Sequence, residues 1–117
     1  INIIKRVPKK ELDKIYQKTD LLGLSSFGKM KGWYPVKLFE YASQGIPTLL
    51  YPTDDDVMER FIKNTSSGFA FSDKEEVKKW LVSILNSEST INISLNKANL
   101  LKYSRRFQTS ELAKIIK

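Results

Sequence analysis

The 117-residue chain contains no cysteine and no histidine. Those two absences together exclude disulfides, zinc centres of the Cys/His type, a Ser-His-Asp triad and thiol nucleophiles. Any chemistry is left to Asp, Glu, Lys, Arg, Tyr, Ser or backbone groups. Glycine and proline are sparse, at five and four residues, and there is no low-complexity tract. With 41% hydrophobic and 28% charged residues, the composition is that of a folded domain and not of a disordered segment. Neither a signal peptide nor a long apolar run is present, which predicts a cytoplasmic domain. At this length the chain is expected to form a single domain, residues 1–117. It opens at "INIIKRV", without an initiator Met and in what reads as mid-strand, so a segment of a larger protein is expected.

Carboxylates are scarce at both ends. Residues 1–37 carry nine positive and three negative side chains, residues 38–77 three and eight, and residues 78–117 eight and two, for a net charge of +7. Basic ends flanking an acidic middle could attract a polyanion: nucleic acid, an anionic membrane or a phosphorylated ligand. Lys predominates over Arg and aromatics are not interleaved with it, so a solvated surface is the better reading and no nucleic-acid partner is expected.

Apolar spacing organises the rest. Residues 1–6 are β-branched and weakly alternating and predict a strand; Pro8 with Leu12, Ile15 and Tyr16 predicts a helix to about Lys18. The apolar run 20–24 predicts a buried strand, and 25–34, "SSFGKMKGWY", a long loop. Pro35 starts the next helix, Gly45 ends it and Pro47 prevents continuation; 48–51 is the next strand. Three carboxylates, Asp54, Asp55 and Asp56, complement a helix start ahead of the Val57, Met58, Phe61, Ile62 stripe. A short strand follows Gly68, and Asp73 with Glu76 reads as a capping box before the stripe Val77, Trp80, Leu81, Ile84, Leu85. Two further helical patterns cover Leu95–Tyr103 and Ser110–Ile116, joined near "SRRF". The alternation of strands and helices predicts an α/β layer with parallel strands.

In such sheets ligands bind beyond the carboxyl ends of the strands, where loops lead into helix starts. The helix begun at Pro35 presents the free N–H groups of Val36 and Lys37, which favour an anion such as phosphate. Lys37, Glu40 and Gln44 share one face of it. Lys37 opposes the helix dipole unless an anion lies between them, while Glu40, one turn on, has the reach of an acceptor for ribose hydroxyls. The bland alternative is an i, i+3 ion pair on a solvated face, worth about 0.2–0.5 kcal/mol, and spacing alone favours it. Trp33 and Tyr34 could stack on a ligand or cover the helix start. The acidic triplet reads better as helix complementation than as a metal site.

The run "YPVKLFEYASQGIPTLL" resembles the nucleotide-sugar-binding signature of GT-B glycosyltransferases of the group 1, retaining type. "VPKKELDKIYQKTDLLGLSS" and "DDDVMERFIKNTSSGFAF" look like the flanking units of the same domain, so the resemblance covers residues 1 to about 86. It implies a partial Rossmann-like parallel sheet flanked by helices, lacking the first two βα units, in the donor-binding domain of a larger transferase. Helix 105–117 is similar to the family's terminal helix. Glu40 matches the carboxylate that holds the ribose; Pro35, Val36 and Lys37 match the diphosphate end; Val7 matches the loop that meets the base; Ser26, Phe27 and Gly28 match the loop after the family's fourth strand. The family's upstream glutamate is replaced by Gly32, and the usual Pro of the loop by Leu24-Ser25-Ser26.

The resemblance further implies a metal-independent transfer, with no cofactor, from a nucleotide diphosphate-sugar to a glycan or lipid-linked acceptor. Surface-polysaccharide assembly and contact with the inner membrane face go with it. The 117 residues alone are expected to be inactive. They are also expected to pair 1–6 with 20–24, or to self-associate, so as to cover bare sheet edges. The rival reading, from another class, is a non-catalytic basic α/β module for a polyanion or a protein partner.

Overall fold

The computed structural model describes residues 1–87 and 91–116. Helix α1 spans Lys9–Tyr16, strand β1 Leu22–Leu24, α2 Val36–Gln44, β2 Thr48–Leu50, α3 Val57–Thr65, β3 Gly68–Ala70, α4 Lys74–Asn86, α5 Lys97–Leu101 and α6 Arg105–Ile116. The three strands form one parallel sheet in the order β1-β2-β3, with Leu22, Gly23 and Leu24 opposite Thr48, Leu49 and Leu50, which in turn face Gly68, Phe69 and Ala70. This is the expected α/β layer, with helices as crossovers between neighbouring parallel strands.

Alternation along the strands sorts the two faces. Leu24, Leu50 and Ala70 join Leu38 and Ala42 of α2 and Val57, Met58, Phe61 and Ile62 of α3 in the main core. Sharing that core places α2 and α3 on one face of the sheet. The opposite face takes Phe69, whose ring meets Trp80 of α4 at 4.8 Å, with Phe71 at 5.3 Å from the same indole. Of the α4 stripe only Val77 is buried, and Leu85 is 82% exposed.

Local signals set the helix ends. Pro8 and Pro35 stand immediately before α1 and α2 in extended backbone, and Gly45 closes α2 at φ 70, a left-handed conformation that a Cβ disfavours. Asp73 caps α4 by accepting from the N–H groups of Glu75 and Glu76. The reciprocal half of the expected capping box, a Glu76 side-chain bond, is not formed.

Three expectations are corrected. Residues 1–6 form no strand; all six are exposed, with Ile1, Ile3 and Ile4 in solvent. The sheet therefore has three strands and not four, and β1 is an edge that residues 1–6 do not cover. β-branching favours a strand only where a neighbour supplies ladder bonds and packing, and β1, three residues long, offers little of either. The other two corrections concern the carboxyl-terminal part. The 95–103 pattern yields helix only over Lys97–Leu101, and the last helix starts at Arg105, as the resemblance implies for a terminal helix over 105–117, and not at Ser110 as the apolar pattern predicts; the two helices do join near "SRRF", at residues 102–104.

Candidate functional site

The starts of α2 and α3 lie side by side at the carboxyl end of the sheet, joined by the loop 25–34. Pro35 is buried and Val36 is 72% exposed. The first backbone bond of α2 is donated by Leu38 to the Pro35 carbonyl at 3.0 Å, and among the described residues the N–H groups of Val36 and Lys37 have no acceptor at this open helix start. Leu38 and Ala42 turn inward to the core. Lys37 and Glu40 are exposed on the far side of the helix from them.

The bland alternative for those two charges is not realised. Ion pairs among the described residues join Asp56 to Arg60, Glu59 to Lys63 and Glu111 to Lys114, and Lys37 and Glu40 are not among them. Glu40 instead stands near two phenols. Burial raises the pKa of Tyr41, with the Glu40 charge adding to it; burial also raises that of Tyr16, reinforced by Tyr41, Glu40 and Asp13. The two rings meet edge to face at 6.3 Å, so the carboxylate lies on the flank of α2 that faces the end of α1.

The loop before α2 is tied to the start of α3. Ser26 donates from its N–H to the Pro52 carbonyl at 3.2 Å and from its hydroxyl to the Thr53 carbonyl at 3.2 Å. Lys31 donates its ammonium to the Asp54 carbonyl, and the Gly32 N–H donates to Asp56 Oδ2 at 2.7 Å. Phe27 lies edge-on to Trp33 at 4.8 Å, and Gly28 turns the loop at φ 51. Tyr34 covers the helix start, its ring 5.6 Å from Phe39 and 6.3 Å from Tyr103. Both aromatics pack on one side and stay 38% exposed, Tyr34 against Phe39 and Tyr103 and Trp33 against Phe27.

Asp54 and Asp56 of the acidic triplet are engaged by the chain itself. Asp54, 3% exposed, accepts from the N–H groups of Met58 at 2.9 Å, Glu59 at 3.1 Å and Asp56 at 3.2 Å. Burial pushes its carboxyl up, but the backbone donors outweigh this and hold it below its ordinary value. Glu59 is also held low, by hydrogen bonds from Lys63 and Thr53. Groups with depressed pKa stabilise the fold above the unfolded carboxylate range, about 4, and that contribution is lost as pH falls through their lower folded values. The acid limb of stability should therefore be shallower in Asp54→Asn than in wild type between neutral pH and pH ~3, with about 1–3 kcal/mol already missing at neutral pH because an amide oxygen serves the three backbone donors less well than a carboxylate. Urea midpoints across that range check both statements. Among the described residues no group of three or more acidic side chains is placed to hold a metal ion, and no helix is long and apolar enough to cross a membrane.

The structure thus places Val36, Lys37 and Glu40 on one helix directly behind Pro35, with Ser26, Phe27 and Gly28 in the loop leading to it. Val7, half-buried ahead of α1, has no hydrogen bond or ring contact with that cluster. Sequence reasoning missed the tie between the loop and the start of α3, for which the sequence offers only the coincidence of Lys31 and a downstream acidic run. Compared with known protein families, with curated proteins and with solved structures, the chain matches none.

Proposed function

We propose that the chain is the donor-binding part of a glycosyltransferase, in which the start of α2 holds the diphosphate of a nucleotide-sugar and Glu40 its ribose. One observation carries this reading: among the described residues Lys37 and Glu40 stand one turn apart, exposed and in no ion pair, beside two N–H groups that have no acceptor. A diphosphate there satisfies both N–H groups, complements the helix dipole and gives Lys37 a partner, and Glu40 accepts from hydroxyls that a phosphate would have to avoid. Charge growing on the leaving phosphate during transfer is met by groups already in place, which suits catalysis by positioning and electrostatics without a metal.

Gly32 bears on the sugar end. Its N–H is committed to Asp56, and it brings no carboxylate to the donor sugar. Contact with that sugar falls to the partly exposed Trp33 and to the rest of the loop.

Calorimetric titration of the chain with UDP and GDP tests the proposal. Binding should weaken about tenfold or more in Glu40→Ala, the loss of a charge-assisted hydrogen bond of about 1.5–3 kcal/mol, with unfolding unchanged. Equal affinity of wild type and variant would overturn it. Binding to heparin that collapses with salt and ignores Glu40→Ala would favour the basic binding module instead.

A further inference from the structure

Between the last turn of α3 and the corner where α5 passes into α6 lies a hollow of about 480 Å³, lined by Asn64, Asn99, Lys102, Tyr103, Phe107 and Gln108. Its size is that of a small-molecule site. It sits at the finishing end of α3, whereas the nucleotide site proposed above adjoins the starting end.

Some of its polar groups build the hollow. Asn99 donates from Nδ2 to the Asn64 carbonyl at 2.7 Å, Gln108 from Nε2 to the Lys102 carbonyl at 2.6 Å, and Lys102 from Nζ to Asn99 Oδ1 at 3.1 Å. Others are left over. The Asn64 carboxamide, the Gln108 Oε1 atom and the Tyr103 hydroxyl make no hydrogen bond among the described residues, and Lys102 keeps two ammonium protons. Phe107 is 39% exposed and stacks on no other ring among the described residues.

The surrounding charge is mostly positive. Residues 91–116 contain Lys97, Lys102, Arg105, Arg106 and Lys114 against the single carboxylate Glu111, which Lys114 engages, and Lys97, Lys102, Arg105 and Arg106 are in no ion pair among the described residues. The acids of the adjoining α3 are already engaged: Asp56 by Arg60, Glu59 by Lys63. An aromatic face, free amides and an unanswered ammonium around one hollow match a ligand with a C–H face, several hydroxyls and one negative charge.

We propose that this hollow binds an acidic sugar, a pyranose ring bearing a carboxylate. The ring's C–H face lies on Phe107, its hydroxyls meet Asn64, Gln108 and the Tyr103 hydroxyl, and the carboxylate meets Lys102. A neutral sugar uses the same amides and ring but leaves the ammonium unanswered.

Saturation-transfer NMR of the chain with D-glucuronate and with D-glucose, each up to about 50 mM, tests this, since millimolar binding is the scale of a single sugar ring. Glucuronate should bind about tenfold more tightly than glucose, the difference being one charge-assisted contact. Lys102→Gln should erase that difference, Phe107→Ala should weaken both sugars about tenfold, and Glu40→Ala should change neither. Both substituted side chains are exposed, and a urea midpoint close to that of wild type shows that each variant keeps the fold. Equal binding of the two sugars, binding indifferent to Lys102→Gln and Phe107→Ala, displacement of glucuronate by equimolar acetate, or no binding of either sugar would overturn the proposal.

Discussion

Gly68→Ala should unfold at a far lower urea concentration than wild type, with a loss of about 3 kcal/mol or more, the upper end of what overpacking costs. An alanine Cβ at position 68 would lie 1.9 Å from the Thr48 carbonyl oxygen and 2.7 Å from its carbonyl carbon and nitrogen. Those atoms are backbone of the paired strand, opposite Gly68 in register, so no side chain can swing aside to make room. The start of β3 must move off β2, which also strains the bond from the Thr48 N–H to the Ser67 carbonyl. A domain of ordinary stability holds only about 5–15 kcal/mol, so the variant should be partly unfolded near 37 °C. Because β3 carries Phe69 against Trp80, indole fluorescence reports the change directly. Gly23→Ala is the control: a methyl there meets nothing within 4 Å and should shift the midpoint little.

Phe61→Ala should cost about 3–5 kcal/mol, the usual range for emptying a buried aromatic site. Phe61 is fully buried, and its ring is 5.2 Å from Phe39 of α2 and 4.7 Å from Tyr103, both edge to face. It therefore joins the sheet core to the carboxyl-terminal helices. Leu100 and Tyr103 pack on the same cluster, and α6 buries no side chain of its own. Removing the ring should thus show first as faster amide exchange over residues 97–103 and only then as global unfolding. Uniform loss of protection, with α5 no worse than β2, would show that the carboxyl-terminal helices do not depend on this contact.

The sequence revealed the fold most clearly where local chemistry and burial agree. Pro35, Gly45 and Pro47 bracket α2 because each fixes its own backbone, and the Val57, Met58, Phe61, Ile62 stripe is buried along α3 as its spacing predicts. It misled at residues 1–6, where side-chain preference for a strand meets no ladder partner. It was also incomplete along α4, whose apolar stripe extends past the small sheet that it could cover. At the site, the exposure of Lys37 and Glu40 was legible from helical periodicity, whereas the absence of a bond between them depends on rotamers that no spacing fixes. The ties of Lys31 and Gly32 to Asp54 and Asp56 span more than twenty residues and arise from two loops meeting at adjacent helix starts. Non-local meetings of this kind have no periodic signature.

The outer margin of β1 has a consequence for how copies of the chain behave in concentrated solution. Leu22 and Leu24 direct their amide and carbonyl bonds toward β2, so only the peptide groups of Gly23 are turned outward for an arriving strand. A stranger docking there gains a single residue of ladder, too little to hold two molecules together, and fibrous stacking through this margin is starved from the outset. Any lasting enlargement of the sheet must bring its own oily underside to lay against the uncovered flank around Gly23.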